Sequence, residues 1–116
     1  EDNSVDLILA DLPYGTTKCS WDVILPFDKL WYEYFRVLKE NGNIVLFATQ
    51  PFTSNLIMSN PDKFKECLTW IKHKASNFGN AKIMHLKYTE DIVVFGGTKR
   101  IYNPQMQPRK SEHPKT

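Results

Sequence analysis

The sequence predicts an α/β fold, and three observations carry that prediction. Residues 5–10 (VDLILA) form a compact apolar run with β-branched members, bounded by polar residues before it and by Asp11, Pro13 and Gly15 after it. This is the pattern of a buried strand followed by a loop. Leu30, Trp31, Tyr34, Phe35 and Leu38 recur at steps of three and four through FDKLWYEYFRVLKENG. That spacing predicts an amphipathic helix, entered at Pro26 and stopped near Asn41 and Gly42. Residues 43–48 (NIVLFA) read as a second buried strand, and residues 52–60 after Pro51 as a short helix. Strand, helix, strand, helix is the α/β order.

Two further β-like runs follow, residues 66–72 (ECLTWIK) and 91–95 (DIVVF), separated by the loop-rich stretch SNFGNAKIMHLKYTE. Residues 73–90 are therefore expected to be mostly loop, and a loop of that length in a compact domain is more often functional than filler. From Gly96 onward, with Pro104, Pro108 and Pro114 and few apolar residues, residues 96–116 read as an irregular tail. The expected architecture is a parallel strand pair with crossover helices followed by an antiparallel strand pair.

Length and charge bound the possibilities. A chain of 116 residues makes one small domain, 1–116, which excludes repeat arrays and multidomain enzymes. The net charge of +2, with 24% charged and 41% hydrophobic residues, excludes a disordered tail and a strongly basic nucleic-acid arm. The balance conceals an asymmetry. Residues 1–71 hold ten Asp and Glu against six Lys and Arg, a net of −4, whereas residues 72–116 hold nine Lys and Arg against three Asp and Glu, a net of +6. The basic second half suits a polyanion partner, or else is only a solvated face. No apolar run approaches the roughly 20 residues of a membrane span, so no membrane partner and a cytoplasmic location are expected. Cys19 and Cys67 lack both metal-ligand spacing and disulfide-framework density and are expected to be reduced thiols. The start at Glu1 rather than Met reads as a piece of a longer chain.

The segment that carries chemistry is Asp11-Leu12-Pro13-Tyr14-Gly15 at the carboxyl end of the first strand. Loops at that end of an open α/β sheet line its ligand crevice. A strand ending in an acid and a proline turn is also common in proteins without any such site. The functional reading is recognition of a flat aromatic amine. Asp11 accepts a hydrogen bond from an exocyclic amino group, the Leu12 carbonyl takes the second N–H because Pro13 fixes the chain direction, and Tyr14 offers a stacking face. Such a trio would hold one flipped nucleobase, since stacking worth about 1–3 kcal/mol largely offsets the cost of extrusion.

DLPYG resembles the D-P-P-Y motif of the DNA methyltransferases that act on adenine N6 or cytosine N4. DLPYGTTKCSWD, FDKLWYEYFRVLKENG, NIVLFATQPFTS, TWIKHKASNFGNAK, TEDIVVF and YNPQ are similar, in order and spacing, to the catalytic half of members whose catalytic motif precedes the cofactor motif. Leu12 departs from the family's usual proline at a position that acts through its carbonyl. The resemblance implies part of an S-adenosylmethionine-dependent, Rossmann-like methyltransferase sheet. It implies that Asp11 and the Leu12 carbonyl bind the target amine, Pro13 shapes the turn and Tyr14 stacks on the base, and that Asp11 and Phe52 lie beside the cofactor. Asp in the first motif position leans toward adenine in this family. The family's F-x-G-x-G cofactor loop is absent from the chain, whose glycines are Gly15, Gly42, Gly79, Gly96 and Gly97. The fragment is therefore expected to bind S-adenosylmethionine weakly and to be inactive alone. Two alternatives stand beside a restriction-modification methyltransferase: a non-catalytic nucleic-acid-binding module, and a methyltransferase acting on RNA or a protein amide.

Lys72, Lys74, Asn77, Asn80, Lys82 and Lys87 surround the basic loop and are the expected DNA contacts, Lys and amides being common partners of phosphates and base edges. Trp21 and Asp22 either border the base pocket or serve the core. Phe52 is equally readable as a packing residue at a helix start, and Trp31, Tyr34 and Phe35 as core. His73, His85 and His113 have no ligand spacing, and no metal site is expected. With the first strand left at an uncovered edge, the isolated chain is expected to self-associate.

Overall fold

The computed structural model describes residues 1–13, 26–75 and 78–109. Strand β1 (Val5–Asp11) leads to helix α1 (Phe27–Val37), strand β2 (Leu38–Ala48) and the short helix α2 (Phe52–Met58). Strand β3 (Phe64–Ile71), one 3-10 turn (Phe78–Asn80) and strand β4 (Thr89–Gly96) complete the fold. The sheet order is β1-β2-β4-β3. β1 runs parallel to β2, and β4 lies antiparallel between β2 and β3. The expected α/β class, parallel pair and antiparallel pair are all present, and the last strand occupies an interior position.

Alternation along the strands divides the sheet into two unlike faces. One face, with Ile8, Ala10, Ile44, Leu46, Val93 and Phe95, packs against both helices. Trp31 of α1 stands 4.5 Å from the Phe95 ring, and Phe27 and Phe52 bring α1 and α2 together at 5.9 Å. The Trp31 indole donates to Ser59 Oγ at 2.8 Å, satisfying a buried N–H at the end of α2. The opposite face carries Leu7 and Leu9 of β1 and Leu68 and Trp70 of β3, 45 to 61% exposed. Sheets with parallel pairing are normally covered on both faces.

The helix ends four residues before the expected stop, for a reason remote in sequence. The amides of Asn3 and Ser4 donate to the carbonyls of Arg36 and Val37, each at 2.9 Å, and so satisfy groups the helix end leaves open. The chain enters β2 directly at Leu38, which is extended and 4% exposed. The break expected at Asn41 and Gly42 survives as a bulge. Val5 pairs with Leu38 but Leu7 with Asn43, so the intervening residues of β2 have too few opposite partners on β1. β3 and β4 each begin two residues before the expected runs.

Beyond β4 the described tail, through residue 109, has no regular structure, but its start is fixed. Ile101 N–H donates to the Asn41 carbonyl and Asn43 Nδ2 to the Ile101 carbonyl, both at 2.9 Å. At the bulge, a Cβ on Gly42 would lie 2.6 Å from Leu38 Cδ1 and 3.0 Å from the Asp6 carbonyl oxygen. The backbone oxygen cannot rotate away as a side chain can. Gly42→Ala is therefore expected to lower stability by about 1–3 kcal/mol, the cost of overpacking. Urea denaturation checks this, and an unchanged midpoint would show that the bulge yields freely.

Candidate functional site

Asp11 is the last residue of β1 and lies opposite Phe47 of β2. Alternation sends its side chain to the open face, with Leu7 and Leu9. Leu12 then turns inward, 8% exposed and part of the core, so its contribution to a ligand would come from its backbone. Pro13 is half-buried. Tyr14, Trp21 and Asp22 lie outside the described residues.

The reversed direction of β4 brings a second loop to this end of the sheet. Ala48 pairs with Asp91 and Trp70 with Glu90, so the segment between β3 and β4 opens beside the carboxyl ends of β1 and β2. Between Lys72 and Tyr88 it carries Lys72, Lys74, Lys82 and Lys87, with His73 and His85 and no acidic residue. The basic loop and Asp11 thus lie at the same end of the sheet. They are separated by three strand spacings, about 14 Å.

Of the expected DNA contacts, Lys74, Asn80 and Lys82 are exposed, Lys87 is half-buried, and Asn77 lies outside the described residues. His73, Lys74, Ala75, Leu86 and Tyr88 line an open cleft of about 370 Å³ at the loop base. Lys72 is employed differently. Its ammonium pairs with Glu90 at 2.8 Å, with only 22% and 26% of the two side chains exposed, and lies 5.8 Å from the Trp70 ring centroid. Its backbone N–H donates to the Tyr88 carbonyl at 2.6 Å. Lys72 therefore closes the neck of the loop.

Phe52, expected beside a cofactor, is 3% exposed and packs in the core against Phe27. The same short helix supplies features the sequence did not announce. Thr53, 2% exposed, donates to Asp91 Oδ2 at 2.6 Å, and its amide donates to the Thr49 carbonyl at 3.0 Å. Ser54 donates through both its amide and its hydroxyl to Gln50 Oε1. These bonds fix the turn after β2, next to the end of β1. The nearby thiol of Cys67 is pushed up by burial and, secondarily, by the Asp91 charge, which disfavours a reactive thiolate. On the open face Phe47 meets Trp70 edge-on at 5.9 Å, continuing an aromatic floor away from Asp11. Paired residues of this kind leave no local sequence signal, because strand register alone joins them.

Among the described residues, no three His, Cys, Asp or Glu side chains are grouped as a metal site, and no helix is long and apolar enough to cross a membrane.

No protein-family model and no curated protein sequence matches the chain. Solved structures do. The M1.HpyAVI–SAM complex superposes with a TM-score of 0.64 at 19% identity, covering 97% of this chain and 59% of that one. A second structure of M1.HpyAVI gives 0.66 at 19% identity, over 92% and 52% of the two chains. The cytosine-N4-specific PvuII DNA methyltransferase gives 0.54 at 16% identity, over 85% and 44%. The chain thus spans about half the length of the structures it matches. Its mixed sheet and flanking helices have the fold of part of a DNA methyltransferase.

Proposed function

We propose that this chain is the target-base part of a DNA amino-methyltransferase that modifies a flipped base, adenine N6 being the favoured acceptor. The observation that carries the reading is a juxtaposition: Asp11, at the carboxyl end of β1, lies at the same end of the sheet as an acid-free loop bearing four lysines. The fold likeness to a DNA methyltransferase supports it. The loop would meet phosphates while Asp11 and the Leu12 carbonyl take the two N–H groups of the amine and Tyr14 stacks on the ring. Holding both N–H groups turns the nitrogen lone pair out of ring conjugation. The amine becomes acidic only after it is alkylated, so Asp11 orients it and need not be a strong base.

S-adenosylmethionine would supply the methyl group on its sulfonium. The described residues do not form its cradle, Phe52 being enclosed in the core, and no glycine pair in the sequence has the F-x-G-x-G spacing. Residues 1–116 alone are therefore expected to be inactive.

Methyl transfer and DNA binding both test this reading. In the protein at its encoded length, Asp11→Ala should lower methyl transfer from labelled S-adenosylmethionine to duplex DNA by on the order of 10²-fold or more. Transfer by residues 1–116 alone, abolished by the same change, would overturn the expectation of inactivity. A plain binding module would show no transfer at any length, and competition with RNA and with an amide-bearing peptide separates the other substrates. For DNA binding by the chain, Lys82→Gln should reduce the slope of log affinity against log salt by about 0.9. Replacing Lys72 and Glu90 together by Gln should leave that slope unchanged, because the Lys72 charge is already engaged; a fall of similar size would make Lys72 a phosphate contact.

The free edge of β1 and the open face with Leu7, Leu9, Leu68 and Trp70 are expected to drive self-association of the isolated chain. Sedimentation over a concentration series checks this, and a monomer throughout would sink it.

A further inference from the structure

The loop between β3 and β4 presents two large aliphatic side chains to solvent. Ile83 is 81% exposed and Met84 55% exposed, and they are adjacent in sequence. Isolated apolar side chains on a surface are ordinary. These two differ in setting, because they stand side by side within an acid-free basic segment, with Lys82 before them and His85 and Lys87 after.

The backbone there is held. The amides of Ile83 and Met84 both donate to the Asn80 carbonyl, at 3.0 and 3.1 Å, and close the turn that carries the pair. At the neck, Lys72 N–H bonds the Tyr88 carbonyl and the Lys72 ammonium bonds Glu90. The apolar pair is thus displayed on hydrogen-bonded turns, in the loop that leaves the sheet at the same end as Asp11.

We propose that Ile83 and Met84 form a wedge that enters stacked duplex DNA where the target base leaves it, while the flanking lysines hold the backbone. The inference rests on the DNA reading of the preceding section and assigns that reading's loop a second task. Isoleucine and methionine are among the side chains that proteins insert between base steps, where they replace lost stacking with apolar contact and leave no buried polar group unpaired. Extraction of a base creates such an apolar gap, and a side chain that fills it shifts the equilibrium toward the extruded state. Lysines beside the wedge suit this placing, since phosphates flank every base step.

The test compares two duplexes, one intact and one with a central abasic site in which the gap already exists. Affinities for residues 1–116 are read by fluorescence anisotropy at fixed salt. The unaltered chain should bind the abasic duplex about tenfold or more tightly, because it no longer has to unstack a base. The I83S/M84S variant should bind the two duplexes almost equally, with the salt slope and the melting temperature unchanged, as both side chains are exposed. A preference as large in the variant as in the unaltered chain would overturn the wedge, and so would no preference in either. A variant that loses self-association while keeping its preference would assign the pair to a protein contact instead. Absence of binding to either duplex would remove the DNA reading itself, which distinguishes that failure from failure of the wedge.

Discussion

The indole of Trp31 ties the helical layer to the sheet. Its ring lies 4.5 Å from Phe95 and about 6 Å from Tyr34 and Phe35, and its N–H reaches Ser59 beyond α2. One side chain therefore joins α1, the end of α2 and the interior strand β4. Aromatic pairs add about 0.5–1.5 kcal/mol each to the burial of their area. The same contact stabilises the position of β4, since Phe95 is fully enclosed only while β4 lies under α1. With β4 between β2 and β3, the loop that precedes it opens at the same end of the sheet as Asp11, so their relative placing depends on packing below them.

Much of this was legible in the sequence, and what was not has a common cause. Apolar runs marked all four strands, because burial by neighbours leaves a local signature. The helix end was misplaced because its last carbonyls are satisfied by Asn3 and Ser4, more than thirty residues earlier, rather than by a local glycine. Strand order was also hidden, as nothing in residues 91–95 says which neighbours they will pair with. The site divides in the same way. Asp11 and the basic loop could be read directly, whereas Thr53 with Asp91 and Lys72 with Glu90 are partners 38 and 18 residues apart. Lys72 looked like one more cation in a basic run; its neighbour on β4 gives it a different task.

The two sheet faces have separate roles. The covered face holds Ile44, Leu46, Val93 and Phe95 and the Thr53 hydroxyl and Asp91 carboxylate that fix the turn after β2. The open face carries Asp11, Phe47 and Trp70, and its exposed leucines make it a surface for further contact. A carboxylate beside aromatic rings at the end of a strand would need no rearrangement of the core to meet a planar ligand, because the rings rest on a sheet whose other face is already packed.

The antiparallel course of β4 has a further consequence for how such a protein can change. The loop is closed at its neck by a backbone hydrogen bond and an ion pair, neither of which involves β1 or α1. Its interior can be lengthened, shortened or exchanged without disturbing the strand that ends in Asp11. Doubling a flexible loop costs only about 0.6 kcal/mol in closure entropy. The fold thus behaves as a fixed chemical mount with an interchangeable cassette beside it. On the proposed DNA reading, substitutions within the cassette would retune recognition while the mount keeps its geometry.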